Sequence, residues 1–254
     1  MPNWNRDYFE SLVRQFARTV NGLDDAFEAV MSGHSPNHIE DMSVGSAKRA
    51  RAAVLNFDIC DYGAAASSPD PVAMKKLFIT IDSLAPLVMQ IIFDHGGYVE
   101  KNSGANIVGV LSGGSSDYHA ANTALDASTT ILFAVRKIVN PFLHQVSIPQ
   151  VSTRIGIDLG PVLISRTGIR SASGGRSRKF LNIIGPAAHL ATLLQQQALP
   201  NGILVGDLVK KNAKIYRQSY FMNATPPEWS WHYKDEPEDK YELWSYNAEK
   251  PVPV

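Results

Sequence analysis

The stretch AVLNFDICDYG, residues 53–63, decides how the rest of the sequence is interpreted. It opens with a short apolar run and reaches an acid, Asp58, which Ile59 follows. A short apolar run that is bounded by a turn signal favours a buried strand over a helix. We therefore predict a strand over residues 51–58 that delivers Asp58 at its C-terminal end, with a tight connection over residues 58–63.

Longer periodic segments lie on both sides of this strand. Residues 6–31 carry apolar side chains at spacings of three and four, which predicts an amphipathic helix, and the polar residues 32–46 predict a linker. Residues 72–95 predict a long helix that ends at Gly96 and Gly97. Residues 98–101 and 106–111 predict a β-hairpin. Residues 119–139 predict another long helix, which Asn140 and Pro141 should end.

The C-terminal half predicts shorter elements. Strands over 151–158 and 162–166 should flank a turn at 159–161, and a Gly/Ser/Arg loop should span 167–178. A strand over 180–184, a helix over 187–197, a strand over 202–205, a short helix over 207–213 and an edge strand over 240–246 should follow. The order predicts an α+β sandwich with a ferredoxin-like βαββαβ core and a mainly antiparallel sheet. We divide the chain into a helical extension with a linker, residues 1–46, and a main domain, residues 47–254.

The composition excludes several classes of protein. The 254 residues contain 24 Lys and Arg against 24 Asp and Glu, so the net charge is zero and binding of nucleic acid through bulk positive charge is disfavoured. One cysteine excludes a disulfide framework and points to a reducing compartment. Because no apolar run reaches about 18 residues, no membrane-spanning helix is expected. We therefore expect a cytoplasmic protein with no membrane or nucleic-acid partner.

Four motifs occur in a fixed order and together suggest a family. They are residues 53–63, the segment HGGYVEKNSG at 95–104, the segment RIGIDLGPV at 154–162, and FLNIIG at 180–185 followed by AHLA at 188–191. The first resembles a strand that ends in a metal-binding Asp, and the second a Gly-Gly-x-x-x-Lys-x-x-Gly hairpin. Together the four resemble the class III nucleotidyl cyclases, the family of adenylate and guanylate cyclase catalytic domains.

The resemblance implies a reaction and an assembly. In that family the 3′-hydroxyl of a nucleoside triphosphate attacks the α-phosphorus, which gives a 3′,5′-cyclic nucleotide and pyrophosphate. Catalysis of such a step consists mostly of positioning and electrostatic stabilisation. The resemblance further implies two divalent cations, Mn or Mg, held by two Asp carboxylates and one backbone carbonyl. It also implies a head-to-tail homodimer in which each active site is shared.

The resemblance also implies roles for individual residues. Asp58 matches the first metal-binding Asp, Ile59 the carbonyl ligand, and Ala105 the position of the second metal-binding Asp. His189 takes the helix position of a ribose-orienting group, and Asp58, His189 and Arg178 are the catalytic candidates. The candidates for contact with the substrate are Phe57, Tyr98, Lys101, Asn182 and Arg176.

Several positions depart from the family pattern. Ala105 offers no carboxylate, and the neighbouring Asn106 is neutral and should face the other side of its strand. Leu193 stands where an Arg is usual, and Pro186 follows Gly185. Three explanations stay open. Ala105 could be an engineered Asp-to-Ala change, or the chain could be a natural but divergent enzyme that reads a different base and uses other cations to neutralise the triphosphate. The third is a silent pseudo-cyclase that acts by binding nucleotides or partners.

The layout and these departures bear on the nucleotide. A short cyclase domain with a helical extension is similar to the bacterial pyrimidine cyclases of antiphage defence, which make cyclic UMP or cyclic CMP for a separate effector. We therefore expect UTP ahead of CTP. An adenylate or guanylate cyclase remains the alternative.

Overall fold

The computed structural model describes residues 6–31, 39–112, 116–169 and 178–249. Its α-helices are α1 Arg6–Met31, α2 Tyr62–Ala66, α3 Pro71–Asp94, α4 Asp117–Ala134, α5 Asn140–Gln145, α6 Pro186–Gln197 and α7 Asp207–Lys211. A π-helical turn spans Val135–Val139 and a 3₁₀ helix spans Ile215–Tyr220. The strands are β1 Ala47–Ile59, β2 Tyr98–Ser103, β3 Asn106–Leu111, β4 Thr153–Ile169, β5 Arg178–Ile184, β6 Ile203–Gly206, β7 Phe221–Asn223 and β8 Leu243–Tyr246.

One eight-stranded sheet organises these elements. Its order is β2-β3-β1-β4-β6-β8-β7, and β5 pairs with β4. β1 and β2 both run antiparallel to β3, whereas β4 and β6 are parallel. The first four strands of the chain therefore lie in the order 2-3-1-4, with α3 and α4 as their connections, which is the ferredoxin-like arrangement. The predicted α+β class with a mostly antiparallel sheet is confirmed.

The described residues divide into two compact units. The smaller unit contains residues from 1–50 and 163–183, and the larger contains 51–162 and 184–249. The ferredoxin-like strand and helix pairings that matter for the site belong to the larger unit, and α1 belongs to the smaller. The predicted boundary between residues 46 and 47 stays a prediction about domain organisation.

The helix α3 shows how the core of the larger unit forms. Asp70 caps its first turn by accepting hydrogen bonds from the backbone N–H groups of Val72 and Ala73. Leu84, and Ile92 two turns later, are buried against the sheet. By length and composition α3 could cross a membrane, but its buried side chains pack on the sheet as those of a core helix do.

Three local predictions are wrong. Pro141 does not end the helical region, because it lies in the first turn of α5, where a missing N–H costs little. No turn interrupts the strand at Pro161: β4 runs from Thr153 to Ile169, since the fixed φ of proline is compatible with extended backbone. β8 is not an edge strand, because β7 pairs with it on the outside. A three-residue strand such as β7 is too short to give a periodic signal.

Candidate active site

Asp58 lies at the C-terminal end of β1, one residue before the strand ends. Alternation along the strand sends Phe57 and Ile59 into the hydrophobic core, and Asn56 and Asp58 to the opposite face. The side chain of Asp58 is 20% exposed. The apolar strand thus delivers Asp58 at its C-terminal end, as the sequence predicts, and the structure adds that the carboxylate lies near the surface on the face opposite the core.

Two donors from different elements hold this carboxylate. Oδ2 of Asp58 accepts hydrogen bonds from Nη2 of Arg154 at 3.3 Å and from Nε2 of Gln195 at 3.2 Å. Arg154 comes from β4 and Gln195 from α6. Nε of Arg154 is buried and has no hydrogen-bond partner among the residues that the structure describes. The guanidinium therefore keeps a donor for another acceptor.

A chain of amide hydrogen bonds lies beside Asp58. The buried Asn56 donates from Nδ2 to Oγ1 of Thr192 at 3.0 Å, and its Oδ1 accepts from Nδ2 of Asn106 at 2.7 Å. Asn106 also donates to the carbonyl oxygen of Phe57 at 3.3 Å. These bonds join β1, β3 and α6 at the site. Continuing the β1–β3 register by one pair from Phe57 and Ile107 places Asp58 opposite Asn106.

The structure shows which residue of the β2–β3 hairpin shares the face of Asp58. Ala105 is 2% exposed and lies in the same hydrophobic cluster as Phe57 and Ile107. Asn106 points to the other face, where it reaches the side chain of Asn56. The prediction that Asn106 faces away from the site is wrong, because β3 enters the sheet with position 105 on the core side. The residue next to Asp58 is thus an amide rather than an alanine.

Glycines set the position of α6 over this face. A Cβ built on Gly156 would lie 2.2 Å from the carbonyl oxygen of Ala191 and 2.2 Å from the backbone nitrogen of Gln195. The helix therefore rests directly on β4 where the RIGI segment has its glycine. Gly185, just before α6, has φ +148°, and a Cβ there would lie 2.7 Å from the carbonyl oxygen of Pro161. This close packing brings Gln195 within reach of Asp58.

Other predicted site residues lie elsewhere in the larger unit. The side chain of Phe57 is 1% exposed in the core, so it packs there rather than lining a surface. The ring of His189 is exposed and lies 5.8 Å from the ring of Trp231. Tyr98 is half-buried at the start of β2. Ile59 has a buried side chain, and a cavity of about 440 Å³ lies against it and the residues that follow.

The remaining predicted residues are not brought to Asp58 by any described contact. The backbone of Lys101 pairs with Val108, and Arg178 begins β5, but the side chains of both lie outside the described part of the chain. Arg176 lies outside the described residues altogether. Asn182 is half-buried on β5 and belongs to the smaller unit. The roles assigned to these residues stay predictions.

Four residues at the site were missed by sequence reasoning. Asn56 precedes Asp58 by two positions, so strand alternation alone could have placed it on the same face. Arg154 stands at the start of the RIGIDLGPV segment. Thr192 and Gln195 are three residues apart on α6 and so lie on one helix face. Only the packing of α6 on the sheet shows that this face meets β1.

The oxygen donors at this site bear on a divalent cation. Asp58 offers a carboxylate, Asn106 an amide oxygen and Ile59 a backbone carbonyl, which are ligand types that Mg²⁺ and Mn²⁺ accept. Within the described ranges no group of three or more His, Cys, Asp or Glu side chains could hold a metal ion. The ligand types present therefore suit a divalent cation, and the described hydrogen-bond partners of Asp58 include no second carboxylate.

The acidic residue of β4 has a structural role. Asp158 is 2% exposed, and its Oδ1 accepts a hydrogen bond of 2.5 Å from the hydroxyl of Tyr241. Burial raises the pKa of Asp158 to about 7, although the hydrogen bond from Tyr241 opposes this. Asp207 similarly accepts from the hydroxyl of Tyr233 and from Nε1 of Trp244. These contacts fasten the aromatic C-terminal segment, which packs on α6 through Trp229 and Tyr241.

Comparisons with known proteins bear on the fold of the chain. No protein-family model matches the chain. An adenylate cyclase of Anabaena cylindrica is 25% identical over 183 residues, which is 70% of this chain, and the chain spans about a third (34%) of that relative.

Solved structures match over most of the chain. The guanylyl cyclase Cya2 superposes with a TM-score of 0.63 at 16% identity, over 82% of this chain and 98% of that one. The adenylyl cyclase CyaB from P. aeruginosa gives 0.61 at 14% identity, over 81% and 97%. A bacterial light-regulated adenylyl cyclase gives 0.59 at 16% identity, over 98% and 68%. The chain therefore has the fold of the class III adenylate and guanylate cyclase catalytic domains.

Proposed function

We propose that this chain converts a nucleoside triphosphate into a 3′,5′-cyclic nucleotide and pyrophosphate. The observation that carries the proposal is the position of Asp58. Its carboxylate ends the first strand of a cyclase fold, lies opposite Asn106 and is paired with Arg154. An oxygen ligand beside a guanidinium is an arrangement suited to a metal-bound triphosphate.

The residues of the site would divide the work as follows. Asp58, Asn106 and the carbonyl of Ile59 would hold one Mg²⁺ or Mn²⁺ ion, which supplies charge neutralisation on the phosphates and acidifies the 3′-hydroxyl. Arg154 exchanges its bond to Asp58 for bonds to phosphate oxygens, which its fork of N–H donors fits. Nε of Arg154, which has no hydrogen-bond partner among the described residues, would donate a further bond to the phosphate.

Neutral side chains would fix the geometry of the site. Gln195 orients the carboxylate of Asp58, and Thr192 and Asn56 hold α6 against β1. Such positioning by groups that are already locked in place costs no reorganisation during the reaction. A second cation, as in the two-ion arrangement of the resembled family, would need ligands from the triphosphate itself.

A homodimer with shared sites would complete the pocket. The described partners of Asp58 come from the larger unit of one chain. Base-contacting groups, for which Tyr98, Lys101 and Asn182 are the candidates, would come from the second copy.

We place UTP first among the substrates. Support comes from His189 and Leu193, which replace the ribose and transition-state groups of purine cyclases, and from the smaller pyrimidine ring, which leaves room for larger side chains. The product, cyclic UMP, would then serve as a second messenger in antiphage defence, read by a separate effector.

The test is incubation of the full chain with Mg²⁺ or Mn²⁺ and each of the four nucleoside triphosphates, followed by mass spectrometry of the products. Cyclic UMP in excess over the other three cyclic nucleotides is expected. Preference for ATP or GTP would contradict the pyrimidine assignment and leave an adenylate or guanylate cyclase. Nucleotide binding without a cyclic product from any triphosphate would favour the silent pseudo-cyclase, for which the missing second carboxylate is the supporting observation.

A further inference from the structure

The helix α1 carries an apolar stripe whose spacing alternates between four and three residues. This alternation is the heptad pattern of a coiled-coil seam, with the residues at 13, 20 and 27 in a positions and the others in d positions. A strict a/d stripe is narrower than the apolar face of a helix that packs on a globular core. The seam consists of Phe9, Val13, Phe16, Val20, Leu23, Phe27 and Val30.

Most of this seam is open to solvent. The side chains from Val13 to Phe27 are between 45 and 72% exposed. The C-terminal end of the helix is anchored, because Val30 is buried and Sδ of Met31 accepts a hydrogen bond from Nη1 of Arg49 at 3.5 Å. Helices in water depend mainly on packing of their apolar face for stability. A 26-residue helix that is tied down at one end therefore presents a seam for a second helix.

The chemistry of the seam fits a copy of itself. Valine at a positions with leucine at a d position favours two-stranded pairing. The flanking g positions are Leu12, Thr19 and Ala26, so contacts between g and e positions of two copies contain no like-charge repulsion. The charged residues near the N-terminus instead pair along their own helix, as Arg6 and Arg14 both do with Glu10.

We propose that α1 of one chain pairs with α1 of a second copy in a two-stranded coiled coil. Six of the seven seam side chains are at least 45% exposed, so pairing with a second helix would remove a continuous apolar stripe from water. Pairing through α1 would hold two chains together independently of any contact between their catalytic units. The proposal does not depend on catalysis.

Cysteine cross-linking tests the pairing on the full chain. With the single native cysteine removed by Cys60→Ser, Val20→Cys places a thiol near the middle of the seam, within reach of its own copy across a short linker whichever way the two helices run. The control is Arg18→Cys, which puts the thiol on the polar side of α1. A short bis-maleimide should link Val20→Cys chains about tenfold or more faster than Arg18→Cys chains, because paired helices hold their thiols at high effective concentration.

A second variant shows whether the seam causes the cross-linking. Adding Phe16→Glu to Val20→Cys should abolish the rapid linkage, whereas Gln15→Glu, on the polar side, should preserve it. Equal rates for Val20→Cys and Arg18→Cys, or rapid linkage that survives Phe16→Glu, would overturn the proposal. Loss of nucleotide cyclisation would leave these rates unchanged, so the two proposals fail separately.

Discussion

At the scale of single residues, the neutral side chain of Asn106 occupies a position where a carboxylate would give the site a second negative charge. It lies opposite Asp58 and is tied to Asn56 and to the carbonyl of Phe57. Its amide oxygen is a weaker ligand for a hard cation than a carboxylate would be. Ala105 has no comparable influence, because it is buried in the core.

The first prediction compares a carboxylate at these two adjacent positions. Asn106→Asp should lower the Mn²⁺ concentration needed for half-maximal activity by about tenfold, because it adds a charged oxygen ligand beside Asp58. The variant also loses the two hydrogen bonds that Asn106 donates to Asn56 and to the carbonyl of Phe57, so its free energy of unfolding should be lower than that of the parent. Ala105→Asp should instead lower the free energy of unfolding by several kcal/mol, because it buries a carboxylate. Mn²⁺ titrations of activity and urea unfolding of both variants provide the measurement. An Ala105→Asp chain as stable as the parent would show that position 105 faces the site after all.

The second prediction concerns pH and Asp158. Its pKa is raised to about 7 in the folded chain, against about 3.9 when unfolded. Folding therefore favours the protonated carboxyl of Asp158. Its contribution to the free energy of unfolding, at most about 4 kcal/mol, is complete below pH 4 and is lost as the pH rises through about 7. Asp158→Asn cannot ionise and should flatten that part of the profile. Urea unfolding between pH 4 and pH 8 measures the difference, and parallel profiles for both chains would refute the assignment.

At the scale of elements, the contact of α6 with β4 assembles the site. The helix lies directly over Gly156 and carries both Thr192 and Gln195 to β1. Any side chain at position 156 has to push the helix backbone away. The position of α6 therefore links the packing of the fold to the orientation of Asp58.

The third prediction tests this contact with two glycines of the same strand. Gly156→Ala should destabilise the chain by about 3 kcal/mol, because its Cβ meets the helix backbone at 2.2 Å. Gly160→Ala should change stability by less than about 0.5 kcal/mol, since its Cβ would lie 3.5 Å from that of Ala187, an ordinary contact. Thermal unfolding of the two variants is the measurement, and equal melting temperatures would contradict the account.

Some of these elements were predictable from the sequence and others were not. Helices α3 and α6, strand β1 and the hairpin were predictable, because long periodic segments or glycines mark them. The continuation of β4 through Pro161 was not, because the pairing of a strand with its neighbours is invisible in its own sequence. Asp58 was predictable as an acid that ends an apolar run. Its contact with Gln195, 137 positions away, depends on how a helix packs and gives no local signal.

At the scale of the whole molecule, the proposed active site would need two chains. One copy supplies Asp58, Asn106 and Arg154, and the other would supply groups that read the base. Two chains with complementary defects should then restore each other.

The fourth prediction follows from this sharing. Asp58→Asn and Lys101→Ala chains should each be inactive alone, and an equal mixture should regain about a quarter of the parent activity, because half of the dimers are mixed and each has one intact site. Product formation after mixing measures this. Activity no higher than the sum of the separate chains would show that each chain contains its own complete site.

The central claim is cyclisation at a site built around Asp58. Its most direct test is the initial rate of pyrophosphate release, with saturating UTP and Mn²⁺, from the full chain and from Asp58→Asn. We expect the parent chain to form pyrophosphate and cyclic nucleotide in equal amounts, and Asp58→Asn to be slower by about 100-fold or more. Equal rates from the two chains would contradict it.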